Sequence, residues 1–148
     1  MDEQGRIVGL DVGDVRIGVA VSDPLGIVAQ AREVVERRSP EEDVDAIRRI
    51  VGEYEAVCVV AGLPLNQEGR PGPQAEKVLA FIEMLEAVVG VPVETQDERF
   101  STAAAERALI AANVRRKGRK KVIDKVAAQY ILQTYLDRRA NQRKRDSE

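Results

Sequence analysis

Short apolar runs separated by turn residues fill the first part of the chain. Three of them read IVGLDV (7–12), RIGVAVSD (16–23) and GIVAQAREVVE (26–36), and a tight Gly-Asp turn joins the first two. Apolar runs of this length between turn signals are typical of strands. The pattern therefore predicts a three-stranded antiparallel meander.

The middle of the chain alternates helical and strand patterns. Residues 39–42 form a capping box with proline at the first helical position, which predicts a helix over 40–53, and a second helix is predicted over 73–89. Between them, residues 55–64 read as a buried central strand and residues 66–73 as a polar, Gly/Pro-rich loop. The apolar faces expected on the two helices are Val44, Ile47, Val51 and Tyr54, and then Ala75, Val78, Leu79, Ile82 and Leu85.

The last part of the chain predicts a fifth strand over 91–96, a short helix over about 101–112 and a final helix over about 123–138. The final helix should face the sheet through Val126, Ala127, Tyr130, Ile131 and Thr134. The element order indicates one α/β domain over 1–139, in which right-handed βαβ crossovers complete a five-stranded mixed sheet. Residues 140–148 lack large apolar side chains and are expected to form a basic, disordered tail.

Charge is divided unequally along the chain. The net charge is only −2, but residues 1–114 carry 11 basic and 21 acidic groups, whereas residues 115–148 carry 12 basic and 4 acidic groups. The segment RRKGRKK (115–121), expected to be a loop, has six cations in seven residues, and RRANQRKR (138–145) is a second basic cluster. Such segregation is typical of proteins that bind a polyanion, and the 115–121 segment favours contact with nucleic acid.

Composition excludes several kinds of site. The chain has no histidine, which excludes Ser-His and Cys-His nucleophile pairs and histidine-bound zinc. A single cysteine, Cys58, cannot form an internal disulfide and is expected to be a small buried hydrophobic side chain. No apolar run approaches the length of a membrane span, and the polar start MDEQGR is unlike a secretory signal, so a cytoplasmic location is favoured.

Asp11 is an acid in an otherwise apolar strand. Asp is depleted from strands because its short side chain competes with the backbone for hydrogen bonds, so this position needs a reason. Coordination of a hard cation beside phosphate chemistry is one, and capping of the turn through Gly13 is another. Two further acids, Glu98 and Asp124, are distant in sequence. The hypothesis is that all three acids converge on one site.

The order of elements and four motifs together resemble the ribonuclease H-like fold, and within it the YqgF/RuvX family. The motifs are GLDVGDVRIGVAVSD, AGLPLNQEG with GPQA, DERFST, and IDKVAAQYILQTYL. The resemblance covers residues 7–136, nearly the whole predicted domain. It implies a nuclease that processes the 5′ end of pre-16S rRNA in ribosome maturation, and Holliday-junction resolution is the other role attached to the family.

The resemblance implies that the catalytic and metal-binding acids are Asp11, Glu98 and Asp124, with Mg²⁺ or Mn²⁺ as the cofactor. Asp97 and Glu98 should point to opposite faces of their strand, and the family match, not the alternation, selects Glu98. Asp124 could instead complement a helix dipole. Many ribonuclease H-like enzymes carry an acid at the end of the fourth strand, but this chain has 62–64 as Gly-Leu-Pro, which puts tight binding of two metals in doubt.

Substrate contacts are expected from cations near the acids and from the basic segment. The candidates are Arg16, Arg99, Arg115, Arg116, Lys117, Arg119, Lys120 and Lys121, and the resemblance adds Asn66. Arg16 and Arg99 could equally pair with a neighbouring carboxylate, and Asn66 could equally serve a turn. The expected partner is nucleic acid, with RNA favoured over DNA, and pre-ribosomal particles are a candidate setting. The protein is expected to act as a monomer or weak dimer, without a membrane partner.

Two other classes of function stay open on the sequence. The first is a catalytically idle nucleic-acid-binding module. The second is a nucleotide-binding protein, because GLDVG-type turns also hold ATP phosphates in the related actin-like fold, although that fold normally needs two such halves. Holliday-junction resolution would require a dimer with two active sites, and the sequence encodes no obvious coiled coil or large spare apolar face.

Overall fold

The computed structural model describes residues 5–98 and 119–146, with side chains in the second segment from Asp124 onward. The strands are β1 (Ile7–Val12), β2 (Arg16–Ser22), β3 (Ala29–Glu36), β4 (Cys58–Leu63) and β5 (Val93–Asp97), and the helices are α1 (Pro40–Glu53), α2 (Pro73–Val89) and α3 (Arg119–Asp146). The predicted helix over 101–112 lies outside the described residues.

The five strands form one mixed sheet in the order β3-β2-β1-β4-β5. The first three strands are an antiparallel meander, and β4 and β5 run parallel to β1. This is the predicted ribonuclease H-like arrangement, since each parallel strand follows a crossover helix. The carboxyl ends of β1, β4 and β5 therefore lie at the same edge of the sheet.

Alternation along the strands produces a core on each face of the sheet. Val8, Leu10 and Val12 of β1 belong to the core beneath α1 and α2. On the opposite face, Ile7 of β1 packs with residues of α3, which is the helix that covers that face in the described part of the chain. The three-layer arrangement explains why β1 and β4 are almost continuously apolar.

The ends of α1 and α2 follow their predicted sequence signals. Ser39 is the N-cap of α1, and its hydroxyl accepts a hydrogen bond from the Glu42 amide at 3.2 Å, with Pro40 beside it at the helix start. Helix α2 begins at Pro73 and ends before Gly90, whose φ of 80° is left-handed. Both predicted helix boundaries are confirmed.

The buried faces of the helices differ in part from the predicted ones. Ile50 is buried on α1, while Tyr54 is its C-cap residue; on α2, Leu79 is exposed and Phe81 is buried. The prediction for α3 is wrong in part, because Val126 and Thr134 are only partly buried and Tyr130 packs against the core from a partly buried position. The fully buried residues of α3 are Ala127, Ala128, Ile131, Leu132 and Leu136.

Glycines on the sheet explain the orientation of α3. A Cβ atom on Gly9 would lie 2.6 Å from Leu132 Cβ, so this strand position has to be bare for the helix to approach. Leu132 fills the space above β1. The side of α3 that faces the sheet therefore includes Ala128 and Leu132, whereas Tyr130 and Thr134 lie at its edge and are only partly buried. Periodicity alone could not show this choice, because the predicted and the observed buried stripes of α3 are displaced by only about one position.

Helix α3 is longer at both ends than predicted. Arg119, Lys120 and Lys121 belong to its first turn, so this part of the expected basic loop is helical, and the helix continues through Asp146 where a disordered tail was expected. Residues 140–146 are mostly good helix formers, and side-chain pairs such as Gln142 with Asp146 at 3.1 Å support the last turns. Among the described residues, no helix has the combination of length and apolar character needed to cross a lipid bilayer.

Candidate active site

Asp11 lies on the sheet face that α3 covers. Alternation places it with Ile7 and Gly9, which face α3, and opposite to Leu10, which faces α1 and α2. Its register partner on β2 is Gly18, and a Cβ atom there would lie 2.0 Å from the Asp124 carbonyl oxygen. The segment of α3 around Asp124 therefore passes directly over the strand position beside Asp11.

Glu98 is a nearly buried carboxylate on the same face. It follows β5 directly, the residue is 8% exposed, and its Oε2 atom lies 3.0 Å from the position of a Cβ atom on Gly62. The same Gly62 position also faces Ile131 of α3, which shows that the Glu98 carboxylate lies on the sheet face covered by α3. Gly62 thus makes room for the Glu98 carboxylate at the end of β4, the strand end where the resemblance to ribonuclease H-like enzymes would place an acid.

The residue before Glu98 points the other way. Val93 belongs to the core beneath α1 and α2, and alternation along β5 gives Asp97 the same orientation. Asp11 and Glu98 therefore share a face that Asp97 does not.

Asp124 is brought to the same end of the sheet by α3 and forms an ion pair. Its Oδ2 atom accepts a hydrogen bond from Arg16 Nε at 3.0 Å, and the two side chains are 26% and 19% exposed. Arg16 opens β2, so the contact joins residues 108 positions apart in sequence. Of the two roles that the sequence left open for Arg16, pairing with a carboxylate is the one seen in this structure.

The three acids supply oxygen ligands, which suit Mg²⁺ or Mn²⁺. They approach one end of one sheet face, where Gly18 leaves room for the Asp124 backbone and Gly62 leaves room for the Glu98 carboxylate. Within residues 5–98 and 119–146, however, no three acidic or cysteine side chains are gathered closely enough to hold a metal ion. The donor set fits a hard cation in chemistry and location, and in this structure Asp124 is paired with Arg16.

The other predicted substrate residues are only partly described. Asn66 serves a turn: its Oδ1 atom accepts a hydrogen bond from the Arg70 amide at 2.9 Å, and its backbone N–H donates to the Arg70 carbonyl at 3.0 Å. Arg119, Lys120 and Lys121 are placed by their backbone at the start of α3, a few residues before Asp124. Four candidates lie outside the described residues: Arg99, Arg115, Arg116 and Lys117.

Arg37 and Asp43 are a supporting pair that sequence reasoning missed. Asp43 is 3% exposed and accepts hydrogen bonds from Arg37 Nε and from the Arg38 amide, both at 2.9 Å. The Arg37 guanidinium also donates to the Gly13 carbonyl at 2.8 Å and lies over the Phe81 ring. It therefore ties the turn after Asp11 to α1 and α2. The one sequence signal for this pair was that Asp43 is an acid at the fourth position of α1, a helix with a clear N-cap.

The opposite end of the same face carries a buried thiol. Burial, followed by the nearby Glu94 carboxylate, raises the pKa of Cys58 to about 11. Burial is also the main reason why the pKa of Tyr135 rises to about 12, and its hydroxyl donates to Glu94 at 3.1 Å. Cys58 is 7% exposed, as the sequence predicted, and is protonated near neutral pH. It contributes packing rather than a nucleophile.

Comparisons with known proteins agree on one family. A family model described as "RuvX: Holliday junction resolvase" matches residues 5–138. The chain is 51% identical over 132 residues to a Clostridium novyi protein and 53% identical over 132 residues to one from Halothermothrix orenii, both named "Putative pre-16S rRNA nuclease". These alignments cover 89% of this chain and 98% and 94% of the two relatives, respectively.

Solved structures show the same fold at much lower sequence identity. RuvC of T. thermophilus in complex with Holliday junction substrate superposes with a TM-score of 0.59, covering 93% of this chain and 96% of that chain at 14% identity. At this level of identity the likeness concerns the fold. It agrees with the mixed five-stranded sheet described above.

Proposed function

The chain belongs to the RuvX family, and on that premise we propose that it is a metal-dependent nuclease that processes the 5′ end of pre-16S rRNA. The observation that carries the proposal is the approach of Asp11, Glu98 and Asp124 to one end of the α3-covered sheet face. The relatives named for pre-16S rRNA support the RNA substrate, because they align over nearly their full lengths.

The proposed reaction is hydrolysis of a phosphodiester bond by in-line attack of water. Asp11 and Glu98 would hold the cation from β1 and from the end of β5, with Asp124 as the third ligand from α3. The chemistry that Mg²⁺ or Mn²⁺ supplies when bound is activation of water and neutralisation of charge on the phosphate and the leaving oxygen. No histidine base is required, which suits a chain without histidine.

Arg16 has a defined part in this proposal. Its guanidinium neutralises the Asp124 carboxylate in the structure at 3.0 Å. When Asp124 binds metal, the same guanidinium would lie beside the site, where a cation can orient a phosphate oxygen. The two roles considered for Arg16 from the sequence are thus compatible with different stages of one reaction.

Cleavage of a labelled precursor RNA spanning the 5′ end of 16S rRNA tests the proposal. The wild-type protein should cleave it with Mn²⁺ or Mg²⁺ and should stop when EDTA is added. Asp11→Asn should lower the rate by at least about a hundredfold, since the missing ligand removes stabilisation of the transition state. Asp97→Asn is the matched control. Asp97 precedes Glu98 but is directed to the sheet face that α1 and α2 cover, so this variant should cleave at close to the wild-type rate.

Two results would contradict the proposal. Equal residual cleavage by wild type and Asp11→Asn would place any activity elsewhere. Absence of cleavage by a folded wild-type protein that still binds the RNA would favour the idle binding module.

Holliday-junction resolution is the second candidate, and the description of the matching family model favours it. Symmetric cleavage of a four-way junction requires two active sites, and hence two copies of this chain. Analytical ultracentrifugation with a labelled junction separates the candidates. A strictly monomeric complex that cleaves RNA and leaves the junction intact would reject this second function.

A further inference from the structure

A groove separates strand β5 from the C-terminal turns of α3. It has a volume of about 400 Å³, and its walls include Glu94 and Gln96 on the strand and Arg138, Arg139, Gln142 and Arg145 on the helix. In the described part of the chain, β5 is the last strand of the sheet, so the groove opens at the sheet edge. Its size is comparable with that of small-molecule sites, but its walls are charged and polar.

Gln96 has a buried, unsatisfied donor in the wall of this groove. The residue is 2% exposed, its Oε1 atom accepts a hydrogen bond from Arg138 at 3.2 Å, and its Nε2 atom has no hydrogen-bond partner among the described residues. Arg138 can only donate, so the contact fixes which end of the amide is oxygen. Buried donors without partners are rare in folded proteins, which indicates that an acceptor from outside completes this site.

The charge of the groove selects an anion. Arg138, Arg139 and Arg145 face one carboxylate, Glu94, which is already engaged by the Tyr135 hydroxyl. The Arg139 guanidinium lies 5.6 Å from the centre of the Tyr135 ring, and Arg145 donates a hydrogen bond to Gln142 at 3.1 Å. Both contacts are with residues of α3, so they hold the two guanidinium groups against the helix. Guanidinium groups beside an amide donor are suited to phosphate oxygens.

The groove lies beside the candidate active site along β5. Gln96 precedes Glu98 by two residues and shares its sheet face by alternation, while Glu94 lies two residues further along β5. The groove therefore begins two residues along β5 from Glu98 and extends toward the C-terminal end of α3. On this face of the sheet, Gln96 and Arg138 are the groove residues nearest to Glu98 along the strand.

We propose that this groove binds the phosphate backbone of the same nucleic-acid strand that enters the candidate active site. The inference rests on the proposed function for its choice of polyanion. It assigns a binding role to Gln96, Arg138 and Arg145, which lie outside the basic segment 115–121. Phosphate contacts of this kind add affinity without reading the sequence of bases.

Fluorescence anisotropy with a labelled single-stranded RNA measures the contribution of the groove. The titration uses the Asp11→Asn background in EDTA at low temperature, so that the RNA stays intact even if Asp11 is not catalytic, and the salt concentration is varied. The double variant Arg138→Gln/Arg145→Gln should raise Kd about three- to tenfold and lower the slope of log Kd against log salt by about 1.4, since each phosphate neutralised on a single strand accounts for about 0.7. Gln96→Met should also raise Kd without lowering Tm, because it removes a buried unsatisfied donor.

Arg48→Gln/Arg49→Gln is the matched control. It removes the same charge from exposed arginines on α1, on the opposite face of the sheet, and should leave the salt slope close to that of the background protein. If the groove and control variants weaken binding equally, only net charge matters and the proposal is wrong. A groove variant that changes the sedimentation coefficient but not RNA affinity would also overturn it, since the groove would then join two copies of the chain. The two proposals can fail separately. Normal cleavage by Asp11→Asn would reject the proposed function, whereas the proposal for the groove is decided by RNA affinity and its salt dependence alone.

Discussion

At the scale of single residues, the close contact between β2 and α3 depends on Gly18. A Cβ atom there would lie 2.0 Å from the Asp124 carbonyl oxygen and 2.5 Å from its carbon, so α3 would have to move. Gly18→Ala should therefore destabilise the protein by about 1–3 kcal/mol, which is the usual cost of overpacking. It should also displace Asp124 and lower cleavage. Urea denaturation and the precursor-cleavage assay measure the two effects.

Gly52→Ala is a suitable comparison for Gly18→Ala. Gly52 lies inside α1, and a Cβ atom there would meet nothing within 4 Å. Alanine should stabilise the helix by about 0.5–1 kcal/mol because it has the higher helix propensity. Equal midpoints for the two variants would mean that α3 does not press on β2 as the structure shows.

The sequence identifies the acids of the candidate site more readily than their surroundings. Asp11 is conspicuous as an acid in an apolar strand, and the family motifs single out Glu98 and Asp124. By contrast, the room for the Glu98 carboxylate depends on Gly62, and the ion pair of Asp124 depends on Arg16, both far away in sequence. Such contacts arise from the packing of α3 on the sheet, which local patterns do not encode.

At the scale of secondary-structure elements, the corner between β3 and α1 is held by Asp43. Asp43→Ala would leave the Arg38 amide and the largely covered Arg37 guanidinium without their carboxylate. Since removal of one partner of a buried pair is costly, the free energy of unfolding should fall by about 2–3 kcal/mol. The turn at Gly13 should loosen as well, because Arg37 also binds its carbonyl. Urea denaturation gives the first effect, and hydrogen exchange at the turn gives the second.

Asp45→Ala is the internal reference for Asp43→Ala. Asp45 lies on the same helix and pairs with Arg48 and Arg49, but all three side chains are largely exposed to solvent. Exposed ion pairs add little to stability, so its denaturation curve should nearly match that of the wild-type protein. If Asp43→Ala unfolds at the same midpoint as Asp45→Ala, the buried pair does not hold the corner.

Element types and most boundaries could be predicted, whereas the orientation and length of α3 could not. The capping box at 39–42 and the glycine after α2 are local signals, and they set their helices correctly. The face of α3 is decided by bare strand positions such as Gly9, which become neighbours only in the folded sheet. Its last turns are stabilised by helix propensity and paired polar side chains, although composition alone suggested disorder there.

At the scale of the whole molecule, the buried Cys58 thiol and the partly buried Tyr135 hydroxyl make stability depend on alkaline pH. The pKa of Cys58 rises from 9.0 to about 11, and the pKa of Tyr135 rises from 10.0 to about 12, in both cases chiefly through burial. The unfolded chain loses these protons first, so between the unfolded and folded pKa values it binds fewer protons than the folded protein. The free energy of unfolding is therefore fully retained below about pH 9 and falls as pH rises toward about 12.

The double variant Cys58→Ala/Tyr135→Phe isolates these two titrations from other alkaline effects, because both side chains lose their ionisable proton while their apolar parts stay largely in place. Urea midpoints for wild type and variant, measured between about pH 8 and pH 11, should converge as pH rises, since only the wild-type protein loses this part of its stability. Arginine and lysine ion pairs change equally in both proteins and cancel in the difference. Parallel curves would show that neither proton is held by the fold, and would remove the physical basis for treating Cys58 as an inert thiol.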